Sequence, residues 1–128
     1  MLWLRRGLLY LQAIFYVFAG VNHFRNPGFY LRMMPPYLPW PSALHLTAGA
    51  AEIGLGLALL LPQTRVWAAW GLMALLIAIF PANLHMALHP ELFPAMPPAG
   101  LWIRLPFQLV FLAWAYWYTR PERSASAA

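Results

Sequence analysis

Four apolar runs, Leu4–Phe24, Ser42–Leu61, Val66–Met86 and Ala99–Tyr118, take up most of this 128-residue chain. A helix rises 1.5 Å per residue, so roughly 20 residues cross the hydrocarbon of a bilayer. Lipid offers nothing to an open backbone, and a run of this length satisfies its own N–H and C=O groups only as a helix. The pattern predicts an all-α integral membrane four-helix bundle, with helices at about 4–24, 42–61, 66–86 and 99–118. They form one four-span domain over residues 1–120, followed by a small polar tail, 121–128, expected to be disordered.

Proline placement agrees. Pro27, Pro35, Pro36, Pro39 and Pro41 separate the first run from the second, and Pro90, Pro94, Pro97 and Pro98 separate the third from the fourth. Proline lacks an N–H and clashes with the turn before it, so such clusters end helices. Pro62-Gln63-Thr64 reads as a tight turn. Pro81 and Pro106 fall inside the third and fourth runs, where a membrane helix tolerates them.

Composition excludes the alternatives. Only 9% of residues are charged and 62% are hydrophobic, whereas soluble domains carry about 25% charged residues. Disorder requires the opposite balance. The net charge of +5 comes from eight Arg and three Glu without a basic stripe, so nucleic acid is not an expected partner. With no cysteine, disulfide, thiolate-metal and thiol-redox chemistry are absent. Any redox role would place the electrons on a cofactor or a partner.

Four spans put both termini on the side of the Pro62–Arg65 turn. Arg5, Arg6, Arg65, Arg120 and Arg123 fall there, against Arg25 and Arg32 on the other side. The arginine bias places both termini in the cytoplasm and the chain in the inner (plasma) membrane, with lipid as its first partner. A competing reading takes the first run as a signal peptide, with Arg5-Arg6 before it and small residues near Ala19-Gly20. Against that, the run is heavily aromatic, and its cleavage would remove polar residues that have partners elsewhere.

Polar groups inside the spans carry the functional signal, because each costs at least a few kcal/mol in lipid and turns toward the protein interior. Counting from the outer ends, Glu52 lies roughly 15 Å deep and Arg104 roughly 8 Å. His45 is seven residues before Glu52 on one face, and Gln108 is one turn beyond Arg104. Asn22 and His23 end the first span on the outer side, and Asn83 and His85 end the third. All four helices thus deliver polar side chains to the outer half, and nothing comparable is expected in the inner half. Glu52 and Arg104 are the candidate catalytic residues. Gln108, Asn83, His23, His45 and His85 are the candidate ligand-binding residues. The same residues also admit structural roles: Glu52 with Arg104 as an ion pair fixing helix register, Asn83 and Gln108 as interhelical hydrogen bonds, and the histidines as solvated interfacial groups. His85 and His89 have the i,i+4 spacing of a metal or haem ligand pair, but Pro90 ends the helix beside them. A quinone headgroup needs hydrogen-bond donors, and Arg, Gln, Asn and His supply them. The loop Arg25–Pro41 is too apolar to stand free in water and is expected to lie on the membrane surface, capping the polar cluster.

At Phe18-Ala-Gly-Val-Asn-His-Phe24, Pro35-Pro-Tyr-Leu-Pro39, Ala51-Glu-Ile-Gly-Leu-Gly-Leu57, Pro81-Ala-Asn-Leu-His-Met-Ala87 and Arg104-Leu-Pro-Phe-Gln108 the sequence resembles the DoxX family of small membrane proteins. The resemblance implies a four-helix membrane bundle. It also implies an association with membrane complexes that pass electrons to quinone, or an accessory role beside a membrane or periplasmic redox partner. Two classes of function follow. One is a quinone- or small-ligand-binding component of membrane redox chemistry, with Glu52 as proton acceptor and Arg104 holding it charged or gripping an anion. The other is a non-enzymatic assembly or scaffold subunit whose polar cluster is structural. A solute transporter would require an inverted repeat or a homo-oligomer.

Overall fold

The computed structural model describes residues 2–120; the predicted disordered tail, 121–128, lies outside them. The described residues are all-helical. The long helices are α1 (Leu2–Arg25), α3 (Pro41–Leu60), α4 (Arg65–Leu88) and α5 (Pro98–Trp117), and a short helix, α2 (Pro27–Met33), follows α1. A single 3-10 turn, Pro90–Leu92, sits between α4 and α5. All four long helices are long and apolar enough to cross a membrane. The bounds lie within two residues of those read from the apolar runs. Part of the loop Arg25–Pro41 is helical, which the sequence reading did not anticipate.

Helix starts follow the prolines. Pro27, Pro41 and Pro98 occupy the first turns of α2, α3 and α5, where the missing N–H would have had no intrahelical partner. Trp40, between Pro39 and Pro41, enters α3 in the left-handed region with φ 50°, the one non-glycine residue described with positive φ. That conformation costs a side-chain-bearing residue about 1 kcal/mol.

α1 packs most extensively on α3, α4 on α5, and α3 on α4, while α2 touches α1, α3 and α4. Glycine makes the α1–α3 crossing close. A Cβ on Gly20 would lie 2.6 Å from the Gly49 carbonyl oxygen, and one on Gly49 would lie 2.7 Å from His23 Cβ. Small residues let backbones meet where lipid gives helices no hydrophobic drive to associate.

Two apolar clusters hold the ends. Leu9, Ala13, Tyr16, Leu59, Leu72 and Tyr118 fill the end nearest the termini. Met33, Met86, Phe93 and Leu101 fill the opposite end, beneath α2 and the 3-10 turn. The outward faces are apolar instead of polar: Trp67 is 79% exposed and Ile77 62%. Such a surface suits lipid and is unfavourable in water.

The end nearest the termini also holds buried polar groups, contrary to the expectation that this half has none. Arg5 Nη2 donates to the carbonyls of Trp117 (3.1 Å) and Arg120 (2.7 Å), and its guanidinium lies over the Tyr118 ring. It therefore closes the C-terminal end of α5, where helix carbonyls lack partners and a cation is favoured. Tyr118 Oη donates back to the Arg5 carbonyl at 3.2 Å. Gln12 is fully buried and reaches the Phe111 carbonyl at 3.5 Å. Counting arginines by side places Arg5 at an interface but does not reveal this contact, and Gln12 is a single amide in a long apolar run with no signal of its own.

Candidate functional site

Between the two apolar clusters the helices enclose a partly open cavity of about 760 Å³. Six of the seven predicted residues line it: His23 from α1, His45 and Glu52 from α3, Asn83 from α4, and Arg104 and Gln108 from α5. Tyr30 and Met33 of α2, with Met34 and Leu38 after it, complete the lining on the α2 side. The loop thus covers the polar cluster, in the manner its apolar composition predicts.

His85 is not among the lining residues. Its ring lies 4.4 Å from that of His89. Depth alone grouped it with Asn83. Two residues apart on a helix is about 200° of rotation, so the two side chains leave opposite faces.

On the α1–α3 side, His23 Nδ1 lies 3.0 Å from the His45 carbonyl oxygen, and Nε2 lies 3.3 Å from Glu52 Oε2. A carbonyl only accepts, so Nδ1 carries a hydrogen. The second nitrogen then faces a carboxyl oxygen. The contact is at ion-pair distance but outside hydrogen-bond geometry, which leaves Glu52 Oε2 without a hydrogen bond. Both residues are buried. Tyr30 stacks on the His23 ring, centroids 3.7 Å apart, and accepts a hydrogen bond from Asn22 at 2.9 Å. Burial raises the Tyr30 phenol above its ordinary pKa, so it is a neutral donor.

On the α4–α5 side, Asn83 Nδ2 donates to Gln108 Oε1 at 2.5 Å, and Gln108 Nε2 donates to the Leu76 carbonyl. One residue along, Pro81 cannot donate to the Ile77 carbonyl of α4. A side chain from the neighbouring helix supplies a donor at the adjacent carbonyl. Arg104 Nε reaches Asn83 Oδ1 at 3.4 Å.

The expected Glu52–Arg104 ion pair does not form. Among the described residues the carboxylate meets His23, and the guanidinium meets Asn83. The predicted depths already differ by about five residues, or roughly 7 Å of helix rise. Arg104 and Glu52 share the cavity without touching.

Two residues that sequence reasoning did not single out belong to the site. Tyr30 sits in a loop whose internal helix was not foreseen. From the sequence Asn22 reads as a span end; its contact with Tyr30 depends on how α2 folds back. Among the described residues no three His, Asp or Glu side chains converge closely enough to hold a metal ion.

The family model described as a domain of unknown function, DUF8561, matches residues 12–119, a range that includes every residue lining the cavity. The chain belongs to the DUF8561 family. No curated protein and no solved structure matches it.

Proposed function

We propose that this DUF8561 protein is a four-helix-bundle protein of the inner (plasma) membrane, with both termini cytoplasmic and the cavity opening toward the outer face. In this reading the cavity binds the headgroup of a small ligand, the quinone class included, in support of redox chemistry carried out with a membrane or periplasmic partner. The observation that carries it is the convergence of six polar side chains from four different helices on one largely apolar cavity of about 760 Å³. That is within the range of small-molecule sites, with apolar walls and a few convergent polar groups. The resemblance to the DoxX family and the arginine bias support the redox and topological parts of the reading.

The residues suit a carbonyl-bearing headgroup. Arg104 and Tyr30 are donors, and the His23 ring stands against the Glu52 carboxyl. A quinone bound here would supply the electron-accepting chemistry. The protein's part would be to orient the headgroup and hold a proton near it. Glu52 is the proton acceptor of this reading, acting with His23, and Arg104 grips the ligand.

The scaffold alternative has its own support. Asn83, Gln108 and Leu76 tie α4 to α5, and His23 ties α1 to α3, which are roles that need no ligand. One experiment separates the two. The protein is extracted in mild detergent and its co-purifying small molecules are identified by mass spectrometry, for the natural chain and for Glu52→Gln. The ligand reading expects a stoichiometric molecule that the variant loses while still folding. The scaffold reading expects no such molecule and a variant changed only in thermal stability.

A further inference from the structure

Arg104 brings to the cavity a charge that no carboxylate of the described residues pairs. The Glu52 carboxyl lies against His23 instead, and the one hydrogen bond of the Arg104 guanidinium in the structure runs from Nε to the neutral amide of Asn83. Its terminal nitrogens are without a protein partner among the described residues, on a helix long and apolar enough to lie in a membrane. An unpaired guanidinium at such a depth is expensive, so a counter-anion is favoured there.

The walls then say what the anion is attached to. α1 and α5 make few backbone contacts; beside the cavity they meet through aromatic side chains. Phe15 and Phe111 stack at 4.8 Å. Phe18 and Phe107 line the cavity yet are 70% and 53% exposed on the outer surface. Residues that are both lining and surface mark an opening, and this one, between α1 and α5, faces sideways, in addition to the outward opening proposed above. A ligand seated here has a charged head against Arg104 and an apolar body leaving between α1 and α5.

Resting on the ligand-binding reading above, we infer that the cavity takes a single-tailed anionic amphiphile from the bilayer, its acidic headgroup on Arg104 and its tail in the aromatic cleft between α1 and α5. A carboxylate matches the guanidinium by two parallel hydrogen bonds.

The test uses the full chain in nanodiscs of zwitterionic lipid, at alkaline pH where the probe is ionised. Binding of oleate is compared with oleyl alcohol, acetate and a short-tailed quinone. The expected result is oleate bound at least about tenfold more tightly than the alcohol, as one charge-assisted hydrogen bond would give, and acetate unable to compete. Arg104→Gln should remove the difference between acid and alcohol, and Arg104→Lys should keep part of it. Equal binding of acid and alcohol by the natural chain, a comparison that needs no variant to fold, overturns the anionic assignment. Effective competition by acetate overturns the lipid source in favour of a soluble anion. Quinone bound more tightly than oleate rejects this inference and upholds the broader reading, whereas no binding of any probe rejects both.

Discussion

Adding one methyl group at Gly20 tests the α1–α3 crossing and, through it, the placement of His23. The new Cβ would stand 2.6 Å from the Gly49 carbonyl oxygen, 2.6 Å from Ile53 Cγ1 and 3.0 Å from the Ile53 backbone nitrogen. Two of these are backbone atoms and cannot turn aside, so α1 and α3 must separate. Overpacking of this kind costs about 1–3 kcal/mol. The higher helix propensity of alanine returns about 1 kcal/mol, for a net loss of up to about 2 kcal/mol. Gly54, on α3, is the control, because a Cβ there meets nothing within 4 Å. Gly54→Ala should be neutral or more stable by up to about 1 kcal/mol. Gly71→Ala should fall between, since its 2.7 Å contact is with the movable tip of Leu55. Unfolding followed by circular dichroism against denaturant in mixed micelles measures all three. The order of stability expected is Gly54→Ala, then Gly71→Ala, then Gly20→Ala. Gly20→Ala as stable as Gly54→Ala would refute the close crossing.

Gln108→Leu leaves the Asn83 amide and the Leu76 carbonyl without the partner they share. It should cost about 1–2 kcal/mol by thermal unfolding, with the double variant Asn83→Leu/Gln108→Leu losing less than the sum of the single ones. Arg5→Gln frees the carbonyls of Trp117 and Arg120; about 1–3 kcal/mol is expected, together with faster amide exchange at the end of α5. Burial raises the phenols of Tyr30 and Tyr118 above the ordinary value of 10.0. The unfolded chain therefore ionises first as pH rises, so stability should hold below about pH 10 and fall above it, with Tyr30→Phe reducing the fall. An alkaline limb unchanged by that variant would count against the burial of Tyr30.

The four long helices were legible because their signal is coarse. A run of about twenty apolar residues bounded by prolines has few other readings in lipid. Residues spaced by whole turns were legible too: His45 with Glu52, and Arg104 with Gln108, share faces and reach one cavity. What failed depended on rotation or on tertiary folding. Asn83 and His85 share a depth and diverge in angle. Glu52 found His23 instead of Arg104 because the glycine crossing brings α1 close to α3, and no pattern in a single sequence states that distance. Arg5 gained its role from the far end of the chain, 112 residues away at Trp117. The helix α2 was missed because it has only seven residues and sits in a proline-rich loop.

The polar side chains of the four long helices converge on one cavity, which the proposed function places open to water or ligand inside a shell of lipid. The natural chain has no cysteine, so single thiols can be placed without background. Ala51 and Ala82 line the cavity, whereas Leu57 and Ile77 are 51% and 62% exposed on the outer face and do not. In sealed membrane vesicles, a small water-soluble thiol reagent reacts only where a thiolate can form in contact with water. Cysteines at 51 and 82 should be modified readily and those at 57 and 77 left intact. Equal reactivity at all four positions, or modification only at 57 and 77, would contradict the account.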